Sequence, residues 1–180
     1  PLILMTPKSL LRHKKAVSSL ADMAEGSSFH RVLHDDAETR PEVAGITLKA
    51  DKDIRRVVLC SGKVYYDLLE SREVRAKAGE QVDDVYLMRL EQFYPWPLKS
   101  LMTELARFPV AELVWCQEEP KNMGGWTFVD PWIELTLEKL DVDAKRARYV
   151  GRPASASTAA GLMSRHLKEL ETFLNDAFAV

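Results

Sequence analysis

Three short stretches hold the side chains with which this chain could do chemistry: Gln117-Glu118-Glu119-Pro120, Ser61-Gly62-Lys63 and Gly151-Arg152-Pro153. Adjacent carboxylates suggest general acid and base work, which requires two groups converging on one substrate. Glu118 and Glu119, however, follow the apolar run Val114-Trp115-Cys116, which reads as a buried strand. Successive strand residues point to opposite faces, so this pair does not converge and reads as orienting or interface groups. Ser61-Gly62-Lys63 lies between a strand pattern and a helix pattern, where backbone N–H groups and a point cation favour an anion. The plainer alternative is a tight turn with Lys63 in solvent, and the glycine spacing of a phosphate-binding P-loop is absent. Arg152 has the planar fork to grip a phosphate or carboxylate, with Ser155 and Ser157 available to cap the helix that follows; a plain cap is the simpler reading.

The elements that would position these groups come next. Val57-Val58-Leu59-Cys60, Val85-Tyr86-Leu87-Met88 and Leu113 to Cys116 are continuous apolar runs, the mark of parallel strands buried on both faces. Arg148-Tyr149-Val150 reads as a last short strand. Between the strands, Val64, Tyr65, Leu68 and Leu69 keep a helical period that stops at Gly79. Leu98, Leu101, Leu105 and Phe108 form one face of a second helix. Trp132, Ile133, Leu135, Leu137 and Leu140 suggest a third with Pro131 in its first turn, and Met163, Leu167, Leu170, Leu174 and Ala177 a long terminal one. Strand–helix alternation from residue 57 onward predicts a mainly parallel sheet covered on both faces, an α/β three-layer αβα sandwich in a domain over 53–180. Residues 1–52 read as a strand over Leu2–Met5, a short helix at Leu10–Arg12 capped by Thr6 or Ser9, and a meandering arm. That arm has possible strands at Phe29–Leu33 and Ile46–Leu48. The basic knot Arg12-His13-Lys14-Lys15 is either a solvated helix end or a contact for an anion or partner.

Composition bounds the function. The chain has 180 residues, 46% hydrophobic and 29% charged, a balance that suits a globular domain. A net charge of -2 gives no footprint for nucleic acid or an anionic membrane, and no apolar run spans a bilayer. Cys60 and Cys116 lie in predicted buried strands, outside any CxxC or Cys/His spacing, so no metal site is expected. A disulfide between them is one reading, and buried free thiols in a reducing compartment is the reading we adopt. No Ser/His/Asp or Cys/His constellation is evident. A chain opening at Pro1-Leu2-Ile3 without methionine reads as a piece of a longer polypeptide.

Four segments carry a family resemblance: Met5-Thr6-Pro7-Lys8-Ser9-Leu10-Leu11-Arg12-His13, Cys60-Ser61-Gly62-Lys63-Val64-Tyr65-Tyr66-Asp67-Leu68-Leu69, Trp115-Cys116-Gln117-Glu118-Glu119-Pro120-Lys121-Asn122-Met123-Gly124 and Tyr149-Val150-Gly151-Arg152-Pro153-Ala154-Ser155-Ala156-Ser157. In order and spacing, over essentially the whole chain, they resemble the C-terminal end of the decarboxylating component of the 2-oxoglutarate dehydrogenase complex. The resemblance implies a transketolase-like C-terminal domain of a thiamin diphosphate enzyme, a homodimer. Such an enzyme decarboxylates 2-oxoglutarate and succinylates the lipoyl group of a partner succinyltransferase in the citric acid cycle. It implies that thiamin diphosphate and Mg2+ sit in upstream domains, in keeping with the missing Gly-Asp-Gly and Asn signature here, and that this fragment has no catalytic residues. The fragment alone is then expected to be inactive, and to shape assembly and regulation. The implied setting is the bacterial cytoplasm, or the mitochondrial matrix in a eukaryote.

Because some members of the family bind nucleotide or acyl-CoA effectors beside this domain, the resemblance makes Lys63, Gln117 and Arg152 candidates for contacting AMP or acetyl-CoA. Glu118, Glu119, Asn122 and Trp126 are candidates for an interface. The alternative function is an independent nucleotide- or acyl-CoA-binding module. Two departures stand out: Gly125 where the family more often has alanine, and Thr158 where it more often has proline. The first is expected to loosen a loop and the second to remove a rigid helix entry.

Overall fold

Runs of Val, Leu and Cys with no polar alternation have no face to offer water, and the chain buries both faces of each. The computed structural model describes residues 1–4 and 6–179. Arg56–Cys60 (β2), Val85–Leu90 (β3), Glu112–Pro120 (β4) and Arg148–Arg152 (β5) pair in parallel, and the two-residue Val32–Leu33 (β1) adds antiparallel to β3. The sheet order is β1-β3-β2-β4-β5. Along β2, Val57 and Leu59 enter one core while Val58 and Cys60 enter the other.

Helices cover each face. Val64–Lys77 (α3) and Met163–Phe178 (α6) pack on the Val58/Cys60 side through Tyr65, Leu68, Leu69, Phe173 and Ala177. Leu98–Leu105 (α4) and Trp126–Leu137 (α5) cover the other through Leu101, Leu105, Val129, Ile133 and Leu137. The result is the expected αβα sandwich. Two four-residue helices, Asp36–Thr39 (α1) and Pro41–Ala44 (α2), lie in the N-terminal segment.

Several local readings change. Over Leu2–Leu4 the expected strand is exposed coil, and Met5 lies outside the described residues. The segment at Leu10–Arg12 is a 3-10 helix over Lys8–Arg12, preceded by Pro7 with no side-chain cap. Ile46–Leu48 is not a strand. Pro131 sits inside α5, not in its first turn, because the helix already begins at Trp126. Thr127, whose carbonyl a residue with an N–H at 131 would have bonded, is exposed, and water can take that place. In α6 only the C-terminal half is core. Phe173, Ala177 and Phe178 are buried, whereas Met163 and Leu167, read as part of the same stripe, are exposed. Ser155 and Ser157 do not cap α6, whose N-cap is Leu162.

The arm is tied to the sandwich by one buried ion pair. Arg72 of α3 donates to both carboxylate oxygens of Asp35 at 2.6 Å, and both side chains have 0% exposure. Asp35 also accepts from the backbone N–H groups of Ala37 (2.8 Å) and Leu87 (2.7 Å), and Arg72 donates to the Val85 carbonyl at 3.0 Å. Tyr65 and Tyr86 hydroxyls accept from the Asp36 and Asp35 amides at 3.2 Å. Nearer the start, His13 meets Glu70 at 3.1 Å and Lys15 pairs with Glu73, both glutamates on α3. Part of the basic knot is therefore a contact within the chain, while Arg12 and Lys14 are exposed.

Candidate functional site

The connections set the place. From β2 the chain crosses by α3 to β3 on one side, then by α4 back past β2 to β4 on the other. In open parallel sheets the crevice beyond the carboxyl ends of two such strands is where ligands gather. Here β2 ends at Cys60, whose register partner on β4 is Cys116; they lead into Ser61-Gly62-Lys63 and Gln117-Glu118, and Gly151 lies beside Gln117 in the next pairing. The three stretches read as chemical in the sequence thus share one rim.

What they do there differs from stretch to stretch. Lys63, at the N-terminus of α3, donates to Asp67 one turn on at 2.5 Å and lies 3.6 Å from Glu118 across the crevice. Burial opposes its charge, yet Asp67 and Glu118 outweigh that and hold the ammonium above its ordinary value. Asp67 is raised too, because its burial, with Glu118 and Glu70 nearby, outweighs the attraction of Lys63. Lys63 is therefore the bridge of the crevice, not a cation pointing to solvent.

Gln117 turns inward and is only 3% exposed. Its carbonyl oxygen accepts from the Trp115 indole N–H (2.9 Å) and the Trp126 backbone N–H (3.0 Å). Its amide nitrogen donates to the carbonyls of Glu119 (3.2 Å), Pro120 (3.2 Å) and Met123 (2.7 Å). Five partners saturate a side chain with two donor hydrogens and two lone pairs. The residue holds the strand end, the loop 121–125 and the first turn of α5 in one piece. Gly124 turns that loop with φ +65°, and a Cβ there would stand 3.0 Å from the Gln117 amide nitrogen.

Arg152, 7% exposed, donates to Glu169 of α6 at 2.6 Å and to the Thr158 carbonyl at 3.3 Å. Glu169 is held below the usual carboxylate range by Arg165 and then by Arg152. Arg152 thereby fastens β5 and the loop after it to the terminal helix. Tyr149 reinforces the same corner, its hydroxyl donating to the carbonyls of Arg152 (2.8 Å) and Glu119 (3.2 Å); burial pushes its pKa up to about 12. The close approach of Gly151 makes this possible, since a Cβ there would fall 2.6 Å from the Gln117 carbonyl oxygen.

The interface candidates divide. Glu118 and Glu119 lie where β4 slips register against β5, between the pairs Gln117–Gly151 and Pro120–Arg152, so simple alternation fails there. Glu118 faces Lys63 and Glu119 is exposed. Asn122 exchanges two 3.0 Å hydrogen bonds with the backbone of Ser155, joining the two loops. Trp126 is buried, its ring centroid 5.4 Å from that of Tyr149. Gly125 does not loosen the loop: a Cβ there would stand 2.9 Å from the Phe93 ring and 3.1 Å from Trp115, so these rings fill the space.

The sequence reading missed Tyr149 and Glu169. An aromatic two residues before a strand glycine was the available signal for the first; the second lies on a surface-like helical stretch and carried none. Among the described residues no group of three or more His, Cys, Asp or Glu is placed to hold a metal. The crevice carboxylates already have cation partners within the fold, Asp67 and Glu118 sharing Lys63 and Glu169 held by two arginines, and that set does not fit a magnesium–diphosphate cradle.

Comparison with known proteins bears directly on this rim. Residues 17–178 match the family described as 2-oxoglutarate dehydrogenase C-terminal. The 2-oxoglutarate dehydrogenase E1 components of Brucella ovis, Brucella canis and Brucella abortus are each 60% identical to it over 177 residues. That match covers 98% of this chain and 17% of each relative's length. With the αβα sandwich, the family match over residues 17–178 and 60% identity across 98% of its length, the chain belongs to the 2-oxoglutarate dehydrogenase C-terminal family.

Proposed function

We propose that this chain serves as the C-terminal assembly domain of a 2-oxoglutarate dehydrogenase E1 subunit. The whole enzyme would decarboxylate 2-oxoglutarate with thiamin diphosphate and transfer the succinyl group to the lipoyl arm of its succinyltransferase partner in the citric acid cycle. The observation that carries this reading is 60% identity across 98% of the chain to proteins of which it spans only 17%. The rim geometry supports a scaffold role: Gln117, Arg152, Lys63 and Asn122 bond other parts of the fold and hold strand ends and loops in fixed register. On this reading thiamin diphosphate and Mg2+ are bound by other domains, and the subunit works as a homodimer. Exposed Leu20, Met23 and Phe29 on the arm suit contact with those domains.

The test is turnover. The 180-residue chain supplied with thiamin diphosphate, Mg2+, 2-oxoglutarate and an artificial electron acceptor should show none. A chain that also carries upstream domains of the relatives' length should be active. Turnover by the short chain alone would remove the reading. Regulation belongs to the same proposal: an anionic effector such as AMP or acetyl-CoA would enter the crevice by drawing Lys63 from Glu118 and Arg152 from Glu169. Calorimetry should then show binding that weakens in Lys63→Ala and Arg152→Ala, and no heat with either ligand would leave the assembly role alone.

A further inference from the structure

β5 is the edge strand of the sheet, and its end faces α6 across a cavity of about 410 Å³. Gly151 and Arg152 line the strand side. Arg165, Lys168, Glu169 and Thr172 line the helix side, spaced i, i+3, i+4 and i+7 so that they share one face of α6. Lys63, Gln117 and Glu118 are not among its walls, so this space is distinct from the crevice between β2 and β4.

The lining carries three cations, Arg152, Arg165 and Lys168, against the single carboxylate of Glu169, a surplus of two positive charges. The pairing inside the cavity does not remove it. Arg152 Nε stands 2.6 Å from one Glu169 oxygen and Arg165 Nε 2.7 Å from the other, so two guanidiniums divide one carboxylate. Lys168 makes no ion pair within 4.0 Å among the described residues. Donors are left over as well. A guanidinium carries five N–H donors. Arg165 commits only Nε, and Arg152 commits Nε and Nη1, the latter to the Thr158 carbonyl at 3.3 Å. The Arg152 side chain is 8% exposed and fixed by those bonds, so its Nη2, which has no partner among the described residues, is held at a set position. A cation buried to that degree ordinarily has a full counter-charge, and half of one carboxylate falls short of it.

We propose that this cavity binds a small phosphate dianion, free or as the monoester of a small molecule, held by Arg152 Nη2, the Arg165 fork and the Lys168 ammonium. Two negative charges match the surplus of two. Planar guanidinium forks with a point cation beside them are the groups that grip a tetrahedral oxyanion. The volume lies in the range of about 300–1,000 Å³ that small-molecule sites occupy, which leaves room for an organic body beyond the phosphate. Cations from a strand end and a helix face converge on one space, and convergence suits a compact ligand better than an extended polypeptide. Glu169 stays between the guanidiniums and keeps the two forks apart, at the cost of repelling what they bind. Seating the anion leaves the Lys63–Glu118 contact closed, so the inference stands apart from an effector in the crevice and from the E1 assignment.

The probes are inorganic phosphate and phenyl phosphate, added at constant ionic strength set with chloride. An amide NMR titration of the chain should show saturable shifts centred on Gly151, Lys168 and Thr172. Tighter binding of the ester would identify a monoester as the ligand, and equal binding would identify free phosphate. Arg165→Ala and Lys168→Ala, both at exposed positions, should each weaken binding by about tenfold or more. Glu169→Gln keeps the shape and raises the surplus from two to three, so it should tighten binding. Lys63→Ala should leave the affinity unchanged. Shifts that do not saturate, or that ignore both Arg165→Ala and Lys168→Ala, would overturn the proposal. A loss on Lys63→Ala equal to that on Lys168→Ala would place the anion in the crevice and overturn it too. Weaker binding in Glu169→Gln would refute the charge account. A tetraglutamate peptide that saturates the same amides where neither phosphate does would make a polypeptide the occupant and refute a small dianion.

Discussion

Replacing Arg72 with methionine should cost this fold about 3–5 kcal/mol, the penalty for leaving one member of a buried ion pair alone. The magnitude follows from the contacts. Neither Arg72 nor Asp35 has any exposed side-chain surface, and the guanidinium meets both carboxylate oxygens at 2.6 Å. Methionine keeps most of the stem packing but supplies no donor, so the carboxylate would retain only the Ala37 and Leu87 amides. The Val85 carbonyl would lose its arginine donor as well, at about 1–3 kcal/mol for a buried group left unsatisfied. These losses share one network, so they do not add. For a domain whose whole stability is expected in the range of about 5–15 kcal/mol, the change should move the urea midpoint far down. Unfolding is readily followed through the four tryptophans. The companion Asp35→Asn leaves the buried guanidinium as the lone charge and turns one acceptor oxygen into a donor, so it should cost a similar amount, about 3–5 kcal/mol. The double variant should show a coupling of at least about 2 kcal/mol because the buried charge is then gone. An Arg72→Met protein within about 1 kcal/mol of wild type, with an unchanged denaturant slope, would refute the reasoning.

The other expectations are smaller. Gln117→Ala should destabilise by about 2–4 kcal/mol, since it strands the Trp115 and Trp126 donors inside the fold, whereas Glu119→Ala should be nearly silent in the same urea titration. Glu73 is depressed to about 2 by its hydrogen bonds to Lys15 and then Lys77. Its contribution should therefore be complete above the ordinary carboxylate value of about 4.3 and disappear as pH falls through the folded value, releasing the 13–15 segment. An NMR titration of Glu73 that stays at the ordinary value in wild type, or that does not rise in Lys15→Ala, would count against this. Burial raises both the Cys60 and Cys116 thiols. Labelling by a disulfide reagent should then wait on unfolding, and prompt labelling of the native chain would contradict their placement.

Much of the sandwich was legible because its strands carry no polar alternation: Val57 to Cys60 has only one sensible environment. The helix faces were legible where the core side is continuous, as at Leu68, Leu69, Leu101 and Leu105. Periodicity alone could not tell that the stripe from Met163 to Ala177 is half core and half surface, since both halves keep the same helical spacing. The rim was half legible. Strand-end position set Lys63, Gln117 and Arg152 along one edge of the sheet, but side-chain direction is decided by their partners, Glu169 for Arg152 and Met123 for Gln117. The Asp35–Arg72 pair was invisible for the same reason, 37 residues apart in sequence with no local sign of burial.

That pair also governs how the sheet ends. β1 pairs with β3 only at Arg89 and Leu90, which leaves the first part of β3 buried but without a strand partner on that side. Asp35 takes the Leu87 N–H and Arg72 takes the Val85 carbonyl, so two side chains stand where a further strand would pair. Such an edge offers no template for strand addition, and a charge pair at that point makes sheet-to-sheet growth unfavourable. A variant lacking Arg72 would therefore be not only less stable but sticky, exposing a β-edge through which copies of the chain could join.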